Sequence, residues 1–230
     1  MKDCIPDDFS PEFKKRILDR ALAQEQSGKI YGPLIRLIGL AEIREALPLL
    51  ERLEKREWEQ MGHDPLVPEP GEARGTYFLR NSITWDCLLV RARWGDKAAM
   101  DRAIEVINSL PDEPDRVRQA AGLIRCTARR EAIDYALPFF YSDELTGSGD
   151  GIDVRYPSYA QTISPQLSLL IPDFPAWGGL EACRKWMKEH EKDYQITIRT
   201  QYMSEVRHRE EYEKRQAASP DQCDKRDETP

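Results

Sequence analysis

Long apolar runs and export signals are missing from this chain of 230 residues. No stretch approaches the roughly 20 apolar residues that a membrane-spanning helix needs. The segment MKDCIPDDFS carries acids where a signal peptide needs an apolar core. We therefore expect a soluble, cytoplasmic protein that has no contact with a membrane.

Metal-binding and catalytic patterns are also missing. The chain has 5 cysteines and 3 histidines, and the cysteines are too widely spaced to form a CxxC or Cys/His ligand pattern. The segment from His190–Glu191 resembles the start of a zinc-protease helix, but Tyr194 stands where the second histidine is needed. The sequence predicts no cofactor and no metal site. It favours a non-catalytic protein. The one kind of catalytic site that it leaves open is a site whose residues come together only in the folded chain.

Acidic residues outnumber basic ones. The chain has 41 acidic and 34 basic residues, a formal net charge of −7, and an isoelectric point of about 5.2. Nucleic acids and anionic membranes attract basic surfaces, so both are disfavoured as partners. The acidic total is typical either of a soluble protein or of one whose partner is basic.

Apolar residues recur at helical spacing along most of the chain, which predicts an all-α fold. Ser10–Pro11 and Ser164–Pro165 both predict helix starts, because serine caps a helix and proline suits its first turn. The stretches 61–76 and 142–157 are rich in proline, glycine or acid, and they predict two long loops.

The C-terminal region is more polar. A narrow apolar stripe predicts a polar helix over 194–216, which would cap a single domain spanning residues 1–216. The tail at 217–230 has no periodicity and is expected to be disordered.

A repeated pattern underlies the predicted helices. Residues 38–53 read IGLAEIREALPLLERL, and looser copies follow at 88–107 and 117–140. The first copy resembles HEAT-like repeats, particularly those of the phycobilisome-lyase type, at Ile38, Gly39, Ala46, Pro48, Leu50 and Leu53. This resemblance implies a short right-handed α-α superhelix, a solenoid of about four to five helix pairs. It implies little about function, since HEAT-like proteins include adaptors, inhibitors, lyases and DNA-repair enzymes.

Protein binding is the favoured function, since a solenoid mainly offers surface to a partner. Acids and tyrosines near the second loop suit contact with a basic partner, and a tryptophan amid charges at a helix end suits an anchor. The predicted partner-binding residues are Trp58, Asp143, Glu144, Asp150, Asp153, Tyr156 and Tyr159. Acidity combined with a binding fold suggests a sharper hypothesis, an inhibitor or immunity protein that masks the basic cleft of a toxin such as a nuclease.

Two alternative functions remain open. HEAT-like DNA-repair enzymes hold phosphates with a stripe of arginines, which here would consist chiefly of Arg91, Arg93, Arg125, Arg129 and Arg130, with Arg116 and Arg118 beside them. The same arginines could instead bond the last carbonyls of helices and offset helix dipoles. The second alternative is a scaffold in which the polar helix at 194–216 pairs with a second copy. The sequence leaves the oligomeric state open.

Overall fold

A computed structural model of the protein describes residues 9–28, 32–67, 79, 82–147, 156–176 and 178–197. Within these ranges the regular secondary structure is helical, apart from one isolated antiparallel bridge between Leu145 and Ser158. The prediction of an all-α protein is therefore confirmed. The nine α-helices of the described ranges are α1 (Pro11–Gln26), α2 (Gly32–Leu40), α3 (Leu47–Met61), α4 (Ile83–Arg93), α5 (Lys97–Ser109), α6 (Glu113–Thr127), α7 (Arg130–Phe140), α8 (Tyr159–Leu170) and α9 (Gly179–His190).

Side chains that accept hydrogen bonds from the first turn set several helix starts. Helix α1 begins directly after its N-cap, Ser10, as the sequence predicts. The start predicted at Ser164 is wrong, because α8 already begins at Tyr159. Ser158 and Gln161 form a reciprocal capping box there, with N–O distances of 2.8 and 3.2 Å. This box satisfies two backbone N–H groups at the helix start, so the earlier serine is the better cap.

Helix α4 lies at the centre of the fold and is buried almost all round. Cys87 and Val90 join a hydrophobic cluster that is built mainly by α1, α2 and α3. Trp85, Leu88 and Leu89 join a second, larger cluster with the later helices. Most residues of this helix are buried, including the charged Asp86 and Arg93, so it is a core helix. Helix α4 therefore links the two halves of the hydrophobic core.

Alternate helices form a continuous row. Helix α2 packs against α4, α4 against α6, and α6 against α8. The remaining helices lie beside this row: α3 contacts α4, α5 contacts α4 and α6, α7 contacts α6 and α8, and α9 contacts α8. The row brings side chains that are distant in sequence close together, and the candidate site lies on it.

The two predicted loops fall partly outside the described residues. Helix α3 ends at Met61, where Gly62 adopts a positive φ of 72°, and residues 62–67 are not helical. Most of the first loop lies outside the described ranges. At the second loop the backbone N–H of Thr146 donates to the carbonyl of Pro157 at 2.9 Å, so the two ends of that loop are held together.

The predicted polar C-terminal helix does not begin at its expected position. Residues 194–197 are described and are not helical. Arg130 lies over the ring of Tyr194, 4.5 Å from its centroid, and the N–H of Thr197 donates to the carbonyl of Leu170 at 2.7 Å. The segment thus packs along the ends of two other helices, which opposes a helical start. Residues 198–230, with the rest of the predicted helix and the tail, lie outside the described ranges.

None of the helices in the described ranges has the length and apolar character needed to span a bilayer.

Candidate binding site

The row formed by α2, α4, α6 and α8 carries two adjoining cavities. They share four lining residues, Arg36, Leu89, Arg125 and Cys126. The first has a volume of about 240 Å³ and is lined largely by leucine and valine, so we call it the aliphatic cavity. The second has a volume of about 410 Å³ and a more polar lining, and we call it the polar cavity. Together the two cavities form what we call the arginine groove.

The lining of the groove is cationic although the chain as a whole is acidic. Arg36, Arg93, Arg118 and Arg125 line it, and no aspartate or glutamate is among its lining residues. Burial raises the pKa of the Cys126 thiol; Arg125, Arg36 and Arg93 oppose that rise, and the carboxylate of Asp86 adds to it. The groove therefore gathers guanidinium groups around one point, and its potential favours an anion.

Arg93 is the buried member of this set, with a side chain that is 3% exposed. Its Nη1 donates to the backbone carbonyl of Cys126 at 3.2 Å. Its Nε and Nη2 have no hydrogen-bond acceptor among the described residues. Glu42 Oε1 lies 3.5 Å from Nε, an ion-pair distance without a hydrogen bond. Burial lowers the pKa of Arg93, yet an arginine stays charged in proteins, so its free donors are a candidate binding group.

The other three arginines differ in how far their charge is already compensated. Arg36 Nε donates to the buried Asp86 Oδ1 at 2.7 Å. Burial raises the pKa of Asp86, and Arg36 opposes this rise. Arg118 pairs with Asp115 at 2.7 Å. Arg125 is exposed and makes no ion pair with a described residue, so its charge is available to a ligand.

A carboxylate on α3 holds the start of α4, which carries part of the groove. Glu57 accepts hydrogen bonds from the Ser82 hydroxyl at 3.1 Å and from the backbone N–H groups of Ile83 and Thr84 at 3.1 and 2.6 Å. Such N–H groups in a first turn have no partner within their own helix. A negative charge there also suits the helix dipole. Glu57 thus caps α4 from a neighbouring helix.

Replacing Glu57 with alanine should lower the free energy of unfolding by about 1–2 kcal/mol, because three donors lose a charged acceptor at a partly exposed site. Urea denaturation followed by circular dichroism measures this change. Glu59→Ala on the same helix is the matched control. The Glu59 side chain is 66% exposed and its ion pair with Lys55 is 3.7 Å long, so we expect a change below about 0.5 kcal/mol. Equal effects of the two substitutions would contradict the capping role.

The arginines that the sequence predicts as a phosphate-binding stripe are divided among different contacts. Arg93 and Arg125 both line the groove. The other three have partners elsewhere: Arg91 pairs with Glu54 and Asp96, Arg129 pairs with Glu131, and Arg130 donates to the carbonyls of Glu191 and Lys192. The structure thus brings two of the five together.

Of the two other arginines of the groove, sequence reasoning named Arg118 beside the stripe and missed Arg36. Arg118 lies on a helix that carries several other charged residues, whereas Arg36 is the single charged residue of α2. Whether an arginine on α2 or α6 reaches the groove depends on how those helices pack against α4. No pattern within a single helix carries that information.

Three of the predicted partner-binding residues are exposed. Trp58 is 47% exposed near the end of α3. The Asp143 side chain is 84% exposed and pairs with Arg184 at 2.8 Å, and Glu144 is also exposed. Asp150 and Asp153 lie outside the described residues.

The two predicted tyrosines are less exposed than these three residues. Tyr159 is 3% exposed, because it is the first residue of α8 and its ring packs edge-on against Phe139, with centroids 6.3 Å apart. It is a core residue, which corrects its predicted role. Tyr156 is half-buried, and its ring lies so close to Gly147 that a Cβ there would approach it to 2.5 Å.

Comparisons with known proteins leave the chain without an assigned family. No protein-family model matches it, and no curated protein and no solved structure matches it significantly. In the described part of the chain, no three histidine, cysteine, aspartate or glutamate side chains lie together as a metal site would require. The class that the fold and the site define is an all-α protein with a cationic groove on a row of helices.

Proposed function

We propose that the protein is a HEAT-like helical-repeat module that binds a partner protein in the arginine groove. The order of helix contacts supports the repeat assignment, because consecutive helix pairs of a solenoid stack first helix on first helix, as α2, α4, α6 and α8 do here. The turns that join α4 to α5 and α6 to α7 are short, as connections within helix pairs usually are. The right-handed superhelix of four to five pairs is part of this proposal.

The charge of the groove is the observation that carries the proposal. Four arginines and no carboxylate line two adjoining cavities, of which one is largely aliphatic. Complementary charge steers and orients a partner, whereas buried apolar contacts hold it. The partner segment that matches both linings combines aspartate or glutamate with aliphatic side chains.

This proposal changes the charge expected of the partner. The net charge of the chain predicts a basic partner. An inhibitor of a basic toxin would present an acidic surface to that toxin. The groove presents arginines instead. A basic partner stays a prediction for the loop at 142–157, where Asp143 and Glu144 are exposed.

Nucleic acid is the second ligand class that arginines suit, but the groove favours it less. Phosphate binding depends on exposed cations that are free to replace counterions. Arg36 and Arg118 are already ion-paired, and Arg93 is buried. The aliphatic lining offers nothing to a phosphate. The scaffold function stays a prediction, since residues 198–216 lie outside the described ranges.

Panning a library of random peptides against the full-length protein should enrich peptides that combine acidic with aliphatic residues. Arg125→Glu should then weaken the binding of the enriched peptides about tenfold or more, because it reverses an unpaired charge in the groove. Isothermal titration calorimetry at about 0.15 M salt measures this change while screening weak surface attraction.

Arg20→Glu is the matched control for that experiment. Arg20 is exposed on α1 and does not line the groove, so the substitution makes the same change in net charge elsewhere. Equal losses from Arg125→Glu and Arg20→Glu would indicate non-specific attraction and contradict the proposal. A gel shift with DNA or RNA, without enrichment of acidic peptides, would favour the nucleic-acid function instead.

A further inference from the structure

We propose that Arg93 is the receptor for a carboxylate group whose short aliphatic body fills the aliphatic cavity. This site lies within the groove of the proposed function, on which it rests, and it names the ligand chemistry of one part of that groove. Three features meet there: buried donors without acceptors, an aliphatic lining and a limited volume.

The free donors of Arg93 are the first feature. Nε and Nη2 have no hydrogen-bond acceptor among the described residues, and the side chain is 3% exposed. A buried charged donor without an acceptor is a costly arrangement. Glu42 compensates only part of this charge, because its Oε1 lies 3.5 Å from Nε without accepting a hydrogen bond. Neighbouring atoms cover these two nitrogens, so an anionic ligand that moves those atoms aside would supply the missing acceptor.

The lining of the cavity is the second feature. Aliphatic side chains from three helices of the row face the same space, and they are Leu40, Leu89, Val90, Leu169 and Leu170. Small-ligand sites usually combine such an apolar lining with a few polar groups that fix the orientation of the ligand. Arg93 and Arg125 are placed to be those polar groups.

The volume sets the size of the ligand. The aliphatic cavity measures about 240 Å³, which corresponds to roughly eight water-sized groups of about 30 Å³ each. A six-carbon carboxylic acid has this size, and so does one aliphatic residue at the end of a peptide chain.

A carboxylate fits the site better than a phosphate does. The planar guanidinium matches two oxygens of either anion, so the choice between them depends on the rest of the lining. Glu42 already shares part of the charge of Arg93 and Arg36 is paired with Asp86, so Arg125 is the one arginine of this cavity without an ion pair to a described residue. The lining of the aliphatic cavity holds no lysine, serine or threonine that would serve the further oxygens of a phosphate dianion.

Hexanoate labelled with ¹³C at its carboxyl carbon is the probe for this site. Added to the full-length protein, it should give saturable binding by calorimetry and a chemical-shift change, whereas hexanol, which has the same chain without the charge, should give neither. Arg93→Met should weaken hexanoate binding about tenfold or more, because charge-assisted hydrogen bonds are lost. Methionine keeps the cavity apolar, and apolar groups often replace buried ions without loss of the fold.

A second variant keeps the test informative if Arg93→Met fails to fold. Arg125→Gln changes an exposed side chain at the same cavity and should weaken hexanoate binding by about threefold to tenfold. Arg20→Gln on α1 is its matched control and should leave binding unchanged. Circular dichroism checks that each variant has the helical content of the parent protein.

Two sources could supply such a carboxylate, a free short-chain acid or the C-terminus of a peptide that ends in an aliphatic residue. Two peptides that end in leucine, one with a free carboxylate and one with a C-terminal amide, separate these sources. If the peptide acid binds more tightly than hexanoate and the amide does not bind, the ligand is a chain end. If hexanoate binds more tightly than the peptide acid, the ligand is a free acid.

The site is overturned if hexanoate and the peptide acid bind no better than hexanol and the amide. It is also overturned if Arg93→Met and Arg125→Gln both leave the binding unchanged. The proposed function, binding of an acidic and aliphatic partner segment, would survive either result if Arg125→Glu still weakens the binding of the enriched peptides. If hexanoate binds but panning enriches no peptide, the proposed protein-binding function fails. The carboxylate site then stands as a small-ligand site.

Discussion

Replacing Phe140 with alanine should lower the free energy of unfolding by about 3–5 kcal/mol, the loss usual for a large aromatic side chain in a core. Phe140 is the last residue of α7 and is fully buried. Its ring lies 6.1 Å from that of Phe174 and 5.4 Å from that of Tyr141, measured between centroids. Its removal would leave a cavity where several helices meet. Urea denaturation at constant temperature measures the change.

Phe13→Ala is the matched control for this prediction. Phe13 is 41% exposed on α1, and its one aromatic contact among the described residues is a stack on Phe9 with centroids 5.5 Å apart. We expect a loss of about 1 kcal/mol or less, since little buried area disappears. A loss at Phe140 that is no larger than the loss at Phe13 would mean that the end of α7 is not part of the core.

Two glycine-to-alanine substitutions in the row of helices should change stability in opposite directions. A Cβ at Gly39 would lie 2.8 Å from Cγ2 of Val90, and Val90 is both buried and stiff because it is β-branched. Gly39→Ala should therefore lower the free energy of unfolding by about 1–3 kcal/mol through overpacking between α2 and α4. The low volume of glycine lets these two helices approach each other closely.

Gly122→Ala supplies the opposite case. Gly122 lies within α6 and lines the polar cavity, and a Cβ there would meet no atom within 4 Å. Alanine favours the helix over glycine, so the free energy of unfolding should rise by about 0.5–1 kcal/mol. The two variants should therefore differ by about 1.5–4 kcal/mol in urea denaturation, the sum of the two effects. Similar changes at both positions would contradict the close contact of α2 with α4.

Much of the helical structure could be predicted from the sequence, because helix formation depends on local patterns. Apolar spacing predicted the all-α fold, and Ser10–Pro11 predicted the start of α1. The start of α8 was missed because Ser158 and Ser164 both have the chemistry of a cap. The deciding partner of Ser158 is Gln161, whose side chain completes the capping box.

The candidate site could be predicted only in part. Arg93 and Arg125 were singled out from the sequence, although as members of a longer phosphate-binding stripe. Arg36 joined them only when α2 packed against α4, and its partner Asp86 lies 50 positions away in the chain. The cap that Glu57 provides to α4 was missed for the same reason, since its partners Ile83 and Thr84 lie on another helix.

The sequence by itself determined that this protein is all-α and acidic, because both properties follow from composition and from spacings of three and four residues. Only the tertiary structure decided which arginines meet, which of them stay unpaired, and that a cationic groove exists on an acidic chain. The physical reason is that a helix presents side chains on every face. The neighbours of each face are chosen by packing between helices that are far apart along the chain.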